Sequence, residues 1–382
     1  MTRWLVVLAA CASGEGPPPA TPLASQFDAP EVSTPVVDEP EPAETIAPVV
    51  EEPPVVDLPD PWQRGSTHVH AKPSGDSSMP IAGVISWYEK QGYDFIFLTD
   101  HNRVSEVAKG NDTHGKIYVA APQTGLIVLA GAELTNNPDK HCLPAGDRGK
   151  CRIHVNVLGP TQRPTGKIDW ANRKSNDRID KYQAALVEAK QLGGIVQMNH
   201  PQWFWGTTVD LVAELVRRGV VLMEVANAQF PKWNAGDATH PSTEALWDGV
   251  LSQGLTLWGV ASDDAHDYGD KRGKWPAGGG WIAVRAKHDP QAILDAIVAG
   301  HFYSSTGVVL EHAEVTNGEL VVGVGPNETG TYVIELIENG SIVDSVRGRD
   351  AKRAVPATGY VRAVVTRDDG KKAWVQPARH PP

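Results

Sequence analysis

From residue 67 to residue 299 the chain alternates short apolar runs with longer amphipathic ones. Thr67-His68-Val69-His70, Phe95 to Leu98, Leu126 to Leu129, Ile153 to Leu158, Ile195 to Met198, Val220 to Val225 and Leu255 to Val260 read as strands. Between them, Ile81 to Gln91 follows Pro80 and stops at Gly92, and Asp180 to Leu192 stops at Gly193-Gly194, which is the punctuation of helices. Val209 to Arg218, Glu244 to Ser252 and Pro290 to Ala299 carry the same helical spacing. Nearly continuous apolar strands separated by helices predict a parallel sheet covered by helices. About seven such units predict a barrel related to the (β/α)8 type, spanning residues 63–308.

Beyond residue 308 the texture changes. Glu314-Val315, Leu320 to Val322, Tyr332 to Leu336, Ile342-Val343, Tyr360 to Val365 and Ala373 to Val375 are short runs rich in β-branched residues. Asn317-Gly318, Asn339-Gly340 and Asp369-Gly370 separate them, and these pairs favour hairpin turns because they tolerate positive φ. Residues 309–382 are therefore expected to form a small all-β, sandwich-like domain. Nothing in its residues demands a binding role, so packing against the barrel is the plain expectation.

Charge separates off a third region. The formal net charge of -11 equals the eleven Asp and Glu residues between Trp4 and Gln63, a stretch with no Lys or Arg. The rest of the chain is balanced and has no basic stripe, which argues against nucleic acid as the main partner. Residues 12–62 also carry dense proline, including Pro17 to Pro19, Pro53 and Pro54, and cannot bury a core. They read as an extended tether. Ahead of it, Arg3, the apolar run Trp4 to Ala10 and Cys11 read as an export signal over residues 1–11. Leu8-Ala9-Ala10-Cys11 resembles the lipobox of bacterial lipoproteins, which implies lipidation of Cys11. The expected location is outside the cytoplasm and membrane-anchored, in the periplasm or outer membrane or at the cell surface. No later segment has the roughly 18 consecutive apolar residues of a membrane span. In an oxidising compartment Cys142 and Cys151 are expected to pair as a disulfide, with metal ligation as the alternative.

The chemistry lies where apolar runs end. His68 and His70 are two residues apart on a strand, so both imidazoles face the same way. Asp76 follows in a loop, Thr99-Asp100-His101-Asn102 ends the next strand, and Glu133 follows the Leu126 to Leu129 run. His154, Asn199-His200-Pro201 and Asp263-Asp264-Ala265-His266 occupy later strand termini. In a barrel the carboxyl ends of the strands converge on one face. Gathering so many ionisable groups without a cation is very costly, and imidazole with carboxylate suits Zn, Mn or Fe.

In this order the motifs resemble the PHP superfamily, named after its polymerase-associated and histidinol-phosphatase members, over roughly residues 65–307. Gly92-Tyr93-Asp94, Ser262 to His266 and Gly300 to Gly307 resemble its carbaryl-hydrolase-type branch (CehA/McbA-like). The resemblance implies a distorted (β/α)7 TIM-like barrel holding two or three divalent ions. It carries the ligand positions onto His68, His70, Asp76, His101, Glu133, His154, His200, Asp264 and His266, with Glu133 bridging. Asp100, Glu133 and His266 become the candidates for catalysis, Asp100 acting beside the ligands. Asp263 orients Asp264 or caps a turn. The implied mechanism is metal-assisted hydrolysis, since bound ions bring the pKa of water from 15.7 to about 7.

Lys72 and Arg103 flank ligand motifs and are candidates to clamp a phosphate, although such residues are more often simply solvated. Trp203, Phe204 and Trp205 form either a wall for substrate or a plug over the rim. Amidohydrolases also begin with a His-x-His strand, but Asp100-His101 and Asp264-x-His266 fit the PHP order better. Three functions follow: a phosphoesterase acting on a small molecule, a hydrolase of carboxylic or carbamic esters, or a non-catalytic surface lipoprotein.

Overall fold

The computed structural model describes residues 60–105, 125–138, 142–269 and 276–380. Cys11, the expected export signal and the expected tether up to residue 59 lie outside the described residues. The elements run β1 (Trp62–Val69), α1 (Ile81–Lys90), β2 (Phe95–Leu98), β3 (Ile127–Asn136), β4 (Ile153–Leu158), α2 (Arg178–Leu192), β5 (Ile195–Met198), α3 (Val209–Arg217) and β6 (Leu222–Asn227). They continue through α4 (Pro231–Ala235), α5 (Thr243–Leu251), β7 (Trp258–Ser262), β8 (Trp281–Arg285), α6 (Pro290–Ala299) and β9 (Phe302–Ser305). Seven further strands close the order: β10 (Leu310–Thr316), β11 (Glu319–Val324), β12 (Tyr332–Glu338), β13 (Ser341–Arg347), β14 (Asp350–Ala354), β15 (Val361–Arg367) and β16 (Lys372–Ala378).

Local chemistry fixes several boundaries. Thr208 and Ser242 cap α3 and α5 through their side-chain oxygens, and Asp289 caps α6 with Pro290 in its first turn. Asn317-Gly318 and Asn339-Gly340 have positive φ throughout, which joins β10 to β11 and β12 to β13 by tight turns.

The pairing overturns the expected distorted (β/α)7 TIM-like barrel followed by an all-β sandwich. Thirteen strands form one mixed sheet in the order β13-β12-β15-β16-β9-β8-β1-β2-β3-β4-β5-β6-β7, and β10, β11 and β14 form a second, three-stranded sheet. Two features account for the difference. Alternation of strands and helices predicts parallel neighbours, but β4 runs antiparallel to both β3 and β5, and β8 runs antiparallel to both β1 and β9. In addition, β16 pairs with β9, so the C-terminal strands extend the same sheet.

At its other edge β7 meets side chains where a strand ladder would otherwise lie. Gly259 donates to Gln376 Oε1 (2.9 Å), and its carbonyl accepts from Gln376 Nε2 (2.8 Å) and Ser304 Oγ (2.7 Å). The sheet still curls enough for His70 N to donate to Ala265 O at 2.9 Å, which brings the ends of β1 and β7 together.

Cys142 and Cys151 form a disulfide with Cα atoms 5.3 Å apart. Their loop is held against the start of α2, where Arg178 N donates to Leu143 O (2.7 Å) and Arg178 Nε to Pro144 O (3.2 Å).

Candidate metal centre

The curl and the strand directions assemble the site. β1 places His68, and the two-residue period sends His70, just beyond its end, to the same side; both are fully buried. His101 follows β2 and bridges to Glu133 within β3. Because β4 runs antiparallel, His154 near its start sits opposite Thr135, beside Glu133. The reversal therefore puts the amino end of β4 where its neighbours place their carboxyl ends. His200 follows β5, and Asp264 and His266 follow β7. His200 and Asp264 have positive φ (23° and 45°), a strain of about 1–3 kcal/mol per residue of the kind that persists at functional sites.

All nine residues lie in one cluster. Glu133 is at its centre: Oε1 accepts from His154 Nδ1 (2.9 Å) and Asn199 Nδ2 (3.0 Å), and Oε2 lies 2.5 Å from His101 Nδ1. Asp264 Oδ1 is 3.2 Å from His68 Nε2 and 3.1 Å from His70 Nε2. Asp76, whose side chain is 42 % exposed, lies 2.9 Å from His101 Nε2 and 3.3 Å from His266 Nε2. His200 Nε2 is 3.8 Å from Glu133 and 3.9 Å from Asp264. Among the described residues three groups could each hold an ion: His70, Asp76, His101 and His266; His68, His70 and Glu133; and Glu133, His154 and His200. Within each group the ligand atoms lie within 4.8 Å of one another, and His70 and Glu133 are each shared by two groups.

Two buried atoms show that a cation fits. His68 Nε2 and His70 Nε2 have no hydrogen-bond partner although both face the same carboxylate oxygen of Asp264. With its proton on Nδ1, toward Glu224 or Ser74, each imidazole presents a lone pair there, and the approach then repels unless positive charge lies between. Metal-free, the charge balance shows the same demand. Burial opposes a charge on His68, yet Asp264, Glu224 and Glu133 together hold its pKa well above the usual histidine value. Burial also opposes a charge on His101, but Glu133 and Asp76 outweigh it and raise its pKa to about 10. Burial and the neighbouring His266 and His101 push His70 down to about 3, leaving it neutral and ready to ligate.

The residues expected beside the ligands have separate tasks. Asp100 turns away from the cluster, accepting from Ala71 N (2.7 Å) and Ser105 Oγ (2.5 Å), so it holds the backbone just after His70. Burial raises its pKa to about 6 despite those donors. Asp263 accepts from Ser66 Oγ, Tyr88 OH and Gly278 N, tying β7 to β1 and α1. Lys72 is exposed in the single turn Lys72–Ser74, whose Ser74 Oγ lies 2.9 Å from His70 Nδ1. Arg103 is half-buried near enough to Asp100 to favour its charge. Trp203 packs edge-on against His200 (5.1 Å) and His154 (5.4 Å) and stacks on Phe230 (4.9 Å). Phe204 and Trp205 continue the aromatic rim toward Trp233.

Glu224 escapes the motif reading. It lies fully buried within β6, with His68 Nδ1 2.7 Å from its Oε1. Its signal in the sequence is a charge in the middle of the apolar run Val220 to Val225, which burial permits only with partners.

No family model matches the chain, so the PHP resemblance rests on its motifs alone. No curated protein matches it either. Among solved structures, an amidohydrolase from Chromobacterium violaceum with bound sulfate and no metal is similar at a TM-score of 0.34 and 15 % identity. That match covers 53 % of this chain and 87 % of the other. A likeness this remote bears on neither fold nor activity.

Proposed function

We propose that the chain is a metal-dependent hydrolase that cleaves phosphoester bonds. The sharing of His70 and Glu133 among three adjacent ligand groups carries the reading. A single structural ion needs one closed set of ligands, whereas a set shared between neighbouring positions suits a reaction whose attacking and leaving oxygens both need stabilising. Bound divalent ions, of which Zn, Mn and Fe fit the donors, supply Lewis acidity toward the ester and toward water. The chain fixes the geometry: the His68 and His70 rings are held through their Nδ1 atoms by Glu224 and Ser74. Asp76 and His101, the more exposed members, mark the side from which substrate enters. Lys72, four residues before Asp76, and Arg103, two residues after His101, are assigned to the phosphate oxygens.

A carboxylic or carbamic ester is the second reading. The half-buried rim of Trp203, Phe204 and Trp233 favours it, because such a surface suits a neutral organic substrate. Protein loaded in turn with Mn, Zn or Fe is expected to hydrolyse an aryl phosphate, with activity lost on chelation. No phosphate release under any of the three metals sinks the phosphoester reading, and turnover of an aryl acetate or carbamate then puts the second one first.

The same reading sets the enzyme outside the cytoplasm, tethered through lipid on Cys11 and acting on a small-molecule ester. Cys11→Ser is expected to shift the protein from the membrane fraction to the soluble fraction. Unchanged sedimentation defeats the anchor.

A further inference from the structure

Five donors converge on the buried carboxylate of Glu224. Its Oε1 accepts from His68 Nδ1 (2.7 Å), Ser262 Oγ (2.5 Å) and Gln197 Nε2 (3.4 Å). Its Oε2 accepts from His200 N (2.6 Å) and Asn227 Nδ2 (2.9 Å). Asn227 Nδ2 also lies 3.5 Å from Asp264 Oδ2. One side chain thus sets the ring of His68, the strained backbone of His200 and, through Asn227, the carboxylate of Asp264. The group His70, Asp76, His101 and His266 is held by other contacts: Ser74 on His70, Asp76 on both His101 and His266, and the Asp264 carbonyl on His266 Nδ1 (2.8 Å).

We propose that Glu224 is a positioning residue common to two of the three metal positions, those built on His68 and on His200, and that its loss weakens these two together, whereas the Asp76 position, which meets them through the shared His70, is spared. The inference rests on the metal-centre reading above. By accepting the proton of Nδ1, Glu224 fixes the tautomer of His68 that leaves Nε2 as a ligand. By accepting from His200 N it maintains the positive φ that places that imidazole. A carboxylate is the one side chain suited to this point, because every partner donates. The amide of Gln would turn its NH2 against at least one N–H or O–H.

The test is Co2+ titration of metal-free protein, followed by visible absorption and by metal content after dialysis. Wild type is expected to bind more than one ion. Glu224→Gln is expected to weaken the ions at the His68 and His200 positions about 10–100-fold, the range for lost outer-shell partners, while one ion keeps its wild-type affinity. Asp76→Asn should show the converse, losing one ion and keeping the other two. Wild-type stoichiometry and affinity in Glu224→Gln overturn the proposal, as does equal weakening of every ion. Failure of wild type to bind Co2+ defeats the metal-centre reading itself. Should metal-free Glu224→Gln unfold, Glu224→Asp carries the same test, since it keeps the charge but withdraws it from His68, and the same two patterns decide.

Discussion

Replacing Glu133 by Gln is expected to lower turnover about a thousandfold or more, which is about 4 kcal/mol of barrier at 1.36 kcal/mol per decade, and to remove ions from two of the three positions. The size follows from geometry. Glu133 belongs to two ligand groups at once, and its two oxygens already meet His154, Asn199, Thr135 and His101. Gln has the same shape and fills the same fully buried space, so the change tests charge and acceptor capacity with little change in packing. Its NH2 would face two donors on whichever side it points, and a neutral amide is a poorer ligand than a carboxylate. Metal content, thermal unfolding and the rate of ester hydrolysis together read the outcome. A variant that keeps its full metal complement and a rate within tenfold of wild type would show that Glu133 is a buried structural acid and not a shared ligand.

How much of this was legible in the sequence depends on range. The His68-x-His70 spacing needs only the two-residue period of a strand, and the Asn-Gly turns need only the steric tolerance of their own residues. Strand-end polarity was equally visible, because every candidate ligand except Asp76 lies in or at the end of an apolar run. Direction and partner choice were not. Whether β4 runs with or against β3 is decided by the course of the chain between Asn136 and Ile153, and periodicity does not encode it. That reversal keeps His154 in the site while removing the barrel topology expected from alternation. Phe302 to Ser305 was read only as part of a motif. As β9 it offers the edge on which β16 pairs, and this turns part of the expected sandwich into four more strands of one sheet. Glu224 was hidden by its own context, since a run of Val, Leu and Met reads as core. The five groups that make a charge tolerable there come from β1, β6, β7 and the carboxyl end of β5, up to 156 residues away in sequence.

The joint between the C-terminal strands and the helical side of the sheet carries the largest expected stability effect. Arg362 on β15 is almost fully buried and gives a two-pronged contact to Asp248 on α5, Nε to Oδ1 at 2.7 Å and Nη2 to Oδ2 at 2.6 Å. Tyr360 OH donates to the same Oδ1 at 2.7 Å, and Trp247 lies beneath the guanidinium at 4.8 Å. Asp248→Ala leaves this guanidinium buried without its main acceptor, with only Glu244 at 3.8 Å to answer its charge. Removing one partner of a buried pair costs about 3–5 kcal/mol. At about 2–4 °C per kcal/mol for a large domain, unfolding should begin roughly 10 °C lower. Replacing both partners by Leu should recover most of that loss, because the penalty comes from the stranded charge and not from the missing attraction. Calorimetry on the single and double variants distinguishes these contributions. A single variant within about 1 kcal/mol of wild type would mean that water reaches Arg362 and that the pair behaves as an exposed one. Metal content should be unchanged in both variants, since none of these side chains touches the ligand cluster among the described residues.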